Sequence, residues 1–222
     1  MIRKISTALA VSLMAMAGTA QANLTNGGFE SGLSGWSTTG AASATGTNVN
    51  AGSGAALVTN ATNNNLGTFT GTSIPGTGGG GISQSFSFTG ASTLSFKWDF
   101  QTGEETSPGN FFNDAAYVVI DGIASLLANT TSALFAGAAG NGFTEKTGYQ
   151  TFSTALGSGS HTLAFVVTDV GDSIVDSGLY LDAISVNPVP NAETNNVPEP
   201  GSLALLGLGL AGLAVVRQRK TS

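Results

Sequence analysis

Carboxylates are the residues of this chain that are numerous enough to do chemistry. Residues 23–196 contain twelve acidic side chains and two lysines, which gives a formal charge of −10. Carboxylate oxygens are ligands that calcium prefers, and two carboxylates about 5 to 10 Å apart can cleave glycosidic bonds. The same charge repels nucleic acid, whose affinity for proteins depends largely on phosphate neutralisation. We therefore expect no nucleic-acid partner.

Asp182 is the acidic residue with the most unusual surroundings. Residues 179–186 alternate between two faces that are both largely apolar, with Tyr180, Asp182, Ile184 and Val186 on one of them. We expect the Asp182 carboxylate to be half-buried, and a buried carboxylate is costly unless it is paired or bound to a metal. Because only two lysines are present for twelve acids, a metal ion is a candidate partner.

Two further groups of acids flank expected strands. The first group is Glu104, Glu105 and Asp114, and the second is Asp169, Asp172 and Asp176. The first group lies in a loop and at the start of the following strand, and we favour a solvated acidic loop over a cation site for it. The spacing of the second group does not match an EF-hand, and both a solvated turn and a cation site stay open for it.

His161 is the only histidine, so a Ser-His-Asp triad would have to include it. It lies at the start of an expected strand, and the chain has no G-x-S-x-G motif for a nucleophilic serine. We interpret it as an exposed turn residue. Because most acids also fall in expected turns, we expect a protein that is not an enzyme.

The elements that position these residues are expected to be strands. Small polar residues and glycine dominate while Glu and Lys are scarce, which favours strands and turns over helices. Alternating segments at residues 82–89, 94–100 and 161–169 predict strands, and we expect the first two to form a hairpin. Trp98 is expected in the core rather than on a sugar-binding surface. The pattern predicts an all-β protein, an antiparallel, jelly-roll-like β-sandwich without disulfides or internal helices.

A long uncharged segment at residues 60–81 is rich in Asn, Thr and Gly and ends in four consecutive glycines. It lacks the Lys followed by Ser or Thr of a phosphate-binding P-loop. We interpret it as a surface loop that could line a binding site.

The first 22 residues have the features of a secretory signal peptide. Arg3 and Lys4 precede an apolar stretch at residues 5–18, and Ala20 and Ala22 form a small-x-small cleavage site. We therefore expect an exported protein that starts at residue 23. Its β-sandwich domain should span residues 23–187, followed by a Pro/Asn-rich linker at residues 188–196.

Residues 197–222 combine a short motif, an apolar stretch and a basic end. The motif is Val197, Pro198, Glu199 and Pro200, and the basic end is Arg217, Arg219 and Lys220. A transmembrane helix over the sixteen uncharged residues 201–216 would be about 24 Å long. That is short for a bilayer core of roughly 30 Å, although flanking residues can cover the mismatch. The position of the cations predicts a cytoplasmic end and an external domain.

This tail resembles the PEP-CTERM sorting signal of Gram-negative bacteria, over about 25 residues. The resemblance implies processing by an exosortase, a membrane protease that cuts near the Pro-Glu-Pro triplet. It also implies that the C-terminal helix anchors the chain in the membrane transiently, before the protein reaches the cell surface or the extracellular space.

The sequence NGGFESGLSGW at residues 26–36 is similar to the opening strand and turn of β-sandwich carbohydrate-binding modules. The resemblance implies that Phe29 and Trp36 are core anchors. It also implies that Glu30 and Asp182 bind a structural calcium ion, which would clamp the two ends of the domain together.

These observations predict a non-catalytic protein of the cell surface or of a biofilm matrix that binds extracellular polysaccharide. One alternative is a structural or adhesive matrix protein stabilised by calcium, and a less favoured one is a glycoside hydrolase. Aromatic side chains that could stack on sugars are Trp36, Tyr117, Tyr149 and Tyr180.

Overall fold

The computed structural model describes residues 23–109 and 111–189 of the chain. Twelve strands and one short helix lie in these ranges. In chain order they are β1 Ser37–Thr39, β2 Ala41–Thr45, β3 Ala55–Thr59, α1 Leu66–Thr70, β4 Gly78–Phe88, β5 Ser92–Thr102, β6 Ala115–Ile120, β7 Ile123–Asn129, β8 Gly137–Ala138, β9 Glu145–Lys146, β10 Gln150–Leu156, β11 Gly159–Asp169 and β12 Ser177–Pro188.

The strands form two antiparallel sheets. The smaller sheet has the order β1-β4-β11-β6-β7, and the larger has the order β2-β3-β12-β5-β9-β8 with β10 paired to β5. Each sheet turns its apolar face towards the other, and these faces form the core. The predicted all-β antiparallel β-sandwich is confirmed.

The core joins the sheets through aromatic contacts. Phe96 of β5 meets Phe165 of β11 edge-on, with ring centroids 4.8 Å apart. Trp98 is only 5% exposed, as predicted for a core residue, and Phe29 and Trp36 are buried in the same core cluster as the expected anchors. Full burial of such side chains contributes about 1.5–3 kcal/mol each.

The hairpin expected between residues 82–89 and 94–100 is wrong. Strand β4 pairs with β1 and β11 in the smaller sheet, whereas β5 pairs with β9 and β10 in the larger one. The turn between them therefore crosses from one sheet to the other. Both strands carry a strongly apolar face, and facing each other across the sandwich buries both of them.

A bulge in β12 corrects the predicted faces of the last strand. Ala183 has a φ of 51°, which shifts the alternation by one residue. Leu179, Leu181 and Ile184 consequently all face the core, and Asp182 lies on the outer face. It is fully buried there rather than half-buried, at 0% exposure.

The segment around Phe29 consists of turns rather than the expected opening strand. Phe29 has a φ of 55° and donates its N–H to Asn26 O at 3.2 Å. The segment is tied to β12, because Ile184 N donates to Gly27 O at 2.9 Å. A Cβ on Gly27 would overlap the carbonyl oxygen of Ile184, so only glycine at position 27 allows the two backbone segments to lie this close.

Candidate functional site

The uncharged segment between β3 and β4, residues 60–77, lies over the smaller sheet, and we call it the site loop. It contains α1, which the sequence analysis did not predict. The side chain of Asn65 caps the helix by accepting Thr68 N at 2.9 Å, and Gly71 ends it in the left-handed conformation. Five residues carry too little helical pattern to be read from sequence.

The glycine run that was expected to belong to this loop instead forms the start of β4. Its lack of side chains lets the site loop lie directly on the strand. A Cβ on Gly81 would come within 3.0 Å of Phe69, and a Cβ on Gly79 within 3.2 Å of Leu66. The absence of side chains on these glycines therefore allows α1 to pack directly against the backbone of β4.

A polar cleft of about 490 Å³ lies on one side of α1. Thr168 of β11 is one of its walls, and its buried hydroxyl has no hydrogen-bond partner among the described residues. A buried hydroxyl without a partner is costly, and a bound polar ligand could satisfy it. The cleft is lined by Asn63, Asn64, Asn65, Leu66, Gly67, Ser73, Ile74, Pro75, Gly76, Thr77, Gly78 and Thr168.

A groove of about 350 Å³ lies on the other side of α1, over the outer face of the smaller sheet. Phe69 forms one wall, and serine and threonine hydroxyls cover much of the floor. The lining residues are Thr68, Phe69, Thr70, Gly71, Ser83, Gln84, Ser85, Val119, Thr162, Leu163 and Ala164.

No charged residue lines either the cleft or the groove. The cleft offers three consecutive asparagine amides as donors and acceptors, and the groove offers hydroxyls beside one aromatic ring. Such surfaces bind neutral, hydroxyl-rich molecules. They contain no carboxylate, histidine or lysine that could act as a general acid or base.

The residues expected to bind calcium lie on either side of another loop, residues 46–54, which we call the clamp loop. Asp182 Oδ2 accepts Asn50 N and Ala51 N at 2.9 and 2.8 Å. Glu30 accepts Ser53 N at 2.9 Å and Ser53 Oγ at 2.6 Å. The hydrogen bonds from the side chain and backbone of Ser53 lower the pKa of Glu30. The predicted pair therefore holds one loop from the two ends of the domain.

The donor chemistry around this pair is compatible with a hard cation only in part. Asp182 Oδ1 accepts Ala183 N at 2.6 Å and keeps a second lone pair. In residues 23–109 and 111–189, however, no group of three or more Asp, Glu, His or Cys side chains is arranged around a metal position. Further ligands would have to be backbone oxygens. Calcium binding by Glu30 and Asp182 stays a prediction.

A buried cluster of acids lies under the site loop, and we call Glu104, Asp114 and Asp169 the acid cluster. Asn60 Nδ2 donates to Asp114 Oδ2 at 2.7 Å and to Asp169 Oδ1 at 2.5 Å. Ser177 Oγ donates to the same Asp114 oxygen at 2.8 Å. The three acids are 2–7% exposed, so the favoured interpretation of Glu104 and Asp114 as solvated loop residues is wrong.

Burial and mutual repulsion raise the pKa values in this cluster. Burial raises the pKa of Asp169 to about 7, with added repulsion from Asp114, Asp176, Asp172 and Glu104. Burial also raises the pKa of Asp114 and of Glu104. One oxygen of Glu104 has no hydrogen-bond partner in the described residues. The sequence did not predict this arrangement, because Asn60, the three acids and Ser177 come from five separate segments of the chain.

The aromatic side chains proposed for sugar stacking are mostly inaccessible. Trp36 is 7% exposed and Tyr180 is 1% exposed, so neither presents a ring to solvent. Tyr117 and Tyr149 are half-buried, and the Tyr149 hydroxyl donates to Asn48 O at 2.6 Å. Among the described residues, the exposed aromatic side chains are instead Phe111 at 74% and Phe112 at 38%, and Phe69 lines the groove. No sequence pattern distinguished these three phenylalanines from core residues.

His161 is not an exposed turn residue. It lies in β11 with a side chain that is 11% exposed, and its Nδ1 is 2.7 Å from Asp121 Oδ2. Its Nε2 is 3.0 Å from Gly157 O, so both ring nitrogens face acceptors. Its ring stacks on Phe88 at 5.0 Å. No serine is among the hydrogen-bond partners found for it in the described residues, which gives no support for a triad.

Several predicted features lie outside the described residues. They are the signal peptide with Ala20 and Ala22, residues 190–196 of the linker, the motif at residues 197–200, the transmembrane segment 201–216, and the basic end with Arg217, Arg219 and Lys220. Within residues 23–109 and 111–189, no helix is long and apolar enough to cross a membrane.

Residues 196–220 match the family model of the PEP-CTERM protein-sorting motif. The predicted sorting motif is thereby confirmed, and the motif identifies an exported protein. No curated protein sequence matches the chain.

Solved structures with a similar fold include several carbohydrate-binding modules. A family 16 carbohydrate binding module is 12% identical with a TM-score of 0.41, over 73% of this chain and 96% of that one. TmCBM61, solved with beta-1,4-galactotriose, is 16% identical with a TM-score of 0.42, over 77% and 100%. The K1 cleaved adhesin domain of Lys-gingipain from Porphyromonas gingivalis W83 is 16% identical with a TM-score of 0.42, over 73% and 96%.

Proposed function

We propose that this exported protein binds a neutral polysaccharide through the cleft and groove beside α1, without catalysing a reaction on it. The observation that carries the proposal is that both surfaces are lined by uncharged residues in a domain dense with acids. A charged ligand would find no partner there. A sugar chain could hydrogen-bond to the asparagine amides and the unpartnered Thr168 hydroxyl, and could place a pyranose face against Phe69.

The size and position of the two surfaces suit an extended ligand. The cleft and the groove fall at about 490 and 350 Å³ within the range of small-molecule sites. They flank the same five-residue helix, so neighbouring sugars of one chain could occupy both. The rigid β4 and β11 form the floor, and only the site loop needs to adjust to the ligand.

Hydrolysis is less well supported than binding. Glycoside hydrolysis needs two carboxylates on either side of an accessible bond. The carboxylates that come together here are buried under the site loop, and Asn60 bridges two of them. We therefore assign the domain a binding role rather than a catalytic one.

The sorting motif gives this binding role a location. We propose that an exosortase-type protease removes the tail after transient membrane anchoring and leaves the domain at the cell surface or in the extracellular matrix. There it would hold polysaccharide of a biofilm. We also propose that calcium binds at Glu30 and Asp182 and neutralises part of the charge that surrounds the clamp loop.

The experiment is affinity electrophoresis of the full-length chain in detergent, with neutral polysaccharides (glucans, galactans, mannans, xylans) and the charged alginate for comparison. We expect retardation by at least one neutral polymer and none by alginate. Ser85→Tyr should weaken binding about tenfold or more, because a ring fills the groove. Ser87→Tyr is the matched control, since Ser87 is two residues further along β4 and lines neither surface.

Two outcomes would refute the proposal. Retardation that survives Ser85→Tyr unchanged would place the ligand elsewhere. If no polymer retards the chain, and calcium alone raises its melting temperature, the structural matrix protein stabilised by calcium becomes the better assignment.

A further inference from the structure

We propose that a proton held in the acid cluster fastens the site loop, so that ligand binding by this protein is switched off as the pH rises. This inference rests on the proposed function, because it concerns regulation of the same site. It assigns a role to Glu104, Asp114 and Asp169, which the binding surfaces themselves do not use.

The geometry of Asn60 sets what can neutralise the cluster. Its Oδ1 accepts Ser177 N at 2.7 Å, which fixes the orientation of the amide. Its Nδ2 therefore points at both Asp114 and Asp169. This amide nitrogen bridges the two carboxylates, and no metal position with three acidic ligands exists in the described residues. Protons are thus better suited than cations to remove the excess negative charge.

The charges that act on the cluster all have the same sign. Asp169 faces Asp114, Asp176, Asp172 and Glu104, while Glu104 faces Asp114 and Asp172. Asp114 receives three stabilising hydrogen bonds, from Val170 N, Ser177 Oγ and Asn60 Nδ2, so it is the member best able to stay ionised. Glu104 has an oxygen with no partner, and Asp169 carries the strongest repulsion. Asp169 is therefore the member expected to hold the proton.

The cluster touches both ends of the site loop. Asn60 is the first residue of that loop, and its side chain is held by Asp114 and Asp169. At the other end, Thr77 N donates to Asp169 O at 2.9 Å. The residue before Asp169 is Thr168, which lines the cleft. Ionising Asp169 would push it away from Asp114 and loosen the contacts that position the cleft walls.

The direction of the pH effect follows from the sign of the shift. The folded-state pKa of Asp169 is raised above its unfolded value of about 3.8, to about 7. Folding and loop order are therefore favoured at low pH and weaken as the pH rises through that range. At pH 8 about one molecule in ten would keep the proton. If only that form binds well, the apparent affinity falls about tenfold between pH 6 and pH 8.

The test compares the full-length chain with Asp169→Asn, which keeps an acceptor for Asn60 but has no charge. Hydrogen exchange of residues 60–77 and affinity for the retained neutral polysaccharide are measured from pH 5 to 8.5. After correction for intrinsic exchange, the wild type should lose protection and affinity as the pH rises, whereas Asp169→Asn should keep both. Asp176→Asn is the comparison, because it removes an exposed charge that repels Asp169 but leaves the Asp169 carboxyl in place. It should shift the loss of protection to lower pH without abolishing it.

The outcomes separate this inference from the proposed function. Loop protection that changes with pH in a chain that binds no polysaccharide would support the proton and refute the function. Protection of the site loop that is constant from pH 5 to 8.5 would overturn the inference even if polysaccharide binds. It would also be overturned if 1 mM calcium, rather than acid, restored protection at pH 8 in the wild type.

Discussion

One carboxylate oxygen of Asp182 accepts the backbone N–H of Ala51 at 2.8 Å, across 131 residues of sequence. The same oxygen accepts the N–H of Asn50 at 2.9 Å. The last strand thereby fixes a loop near the start of the chain through a side chain that is completely buried. The two ends of the domain are joined by hydrogen bonds to charge, which are among the stronger kinds in proteins.

Asp182→Ala should destabilise the domain strongly even without metal. The change leaves the N–H groups of Asn50, Ala51 and Ala183 without their acceptor. We expect a loss of about 2–4 kcal/mol in the free energy of unfolding, measured by urea titration in EGTA. Asp182→Asn keeps one acceptor oxygen and should lose less. Equal stability of the Ala variant and the wild type would show that the clamp loop is held in another way.

Calcium should add to the stability that these hydrogen bonds already provide. We expect the melting temperature of the wild type to be higher in 1 mM calcium than in EGTA, because an ion bound only by the folded state stabilises it. Glu30→Gln and Asp182→Asn should each reduce that rise. Asp176→Asn serves as the comparison, since it removes an exposed acid that is not one of the two predicted ligands. A rise that is the same in all four proteins would refute calcium binding by Glu30 and Asp182.

The His161–Asp121 pair should make stability depend on pH. Burial alone would lower the pKa of His161, but the hydrogen bonds to Asp121 and Gly157 and the Asp121 charge raise it. Burial alone would raise the pKa of Asp121, but the hydrogen bonds from Thr162 and His161 and the charge of His161 lower it. The histidine contribution is complete below its unfolded pKa, about 6.5, and is lost as the pH rises through the higher folded value. The aspartate contribution is lost on acidification below about pH 4.

His161→Gln tests this pair because it keeps hydrogen-bonding capacity without charge. The free energy of unfolding of both proteins is obtained from melting curves at each pH from 4 to 9. The difference between the two should contain the contribution of the histidine, while the contribution of the acid cluster cancels. The difference should be largest near pH 5–6 and shrink above pH 7, and we expect it to stay within about 1 kcal/mol for such a partly solvated pair. A difference that does not change with pH would indicate that the imidazole is neutral.

Much of the sandwich could be predicted because its strands are long and strictly alternating. Leu163, Phe165 and Val167 identify the core face of β11 from sequence, and all three are fully buried. Trp98 follows from the same rule. The alternation failed at Ala183, since a single residue with positive φ reverses every face after it without changing the composition.

The site was less predictable because it depends on contacts between distant segments. The uncharged composition of residues 60–81 predicts a surface loop that could line a site, but it does not predict the helix within the segment or the strand formed by the glycines. Asn60, Asp114 and Asp169 are each ordinary turn or strand-end residues in sequence. The pairing of β11 with β6 brings Asp169 and Asp114 together, and the pairing of β3 with β12 places Asn60 beside Ser177, whose hydroxyl donates to Asp114.

Gly80 should be essential for the approach of three strands. A Cβ there would collide with the carbonyl oxygens of Thr59 and Ala41, which belong to β3 and β2 of the opposite sheet. Because both obstacles are backbone atoms, the strands themselves must shift. We expect Gly80→Ala to cost about 1–3 kcal/mol in the free energy of unfolding. It should also weaken polysaccharide binding, because β4 forms the floor beside the cleft.

Gly157→Ala is the control: nothing lies within 4 Å of a Cβ there, so we expect a change within about 0.5 kcal/mol. Urea titration and affinity electrophoresis of the two variants measure both effects. Wild-type stability of Gly80→Ala would mean that the sheets can separate at this edge without loss.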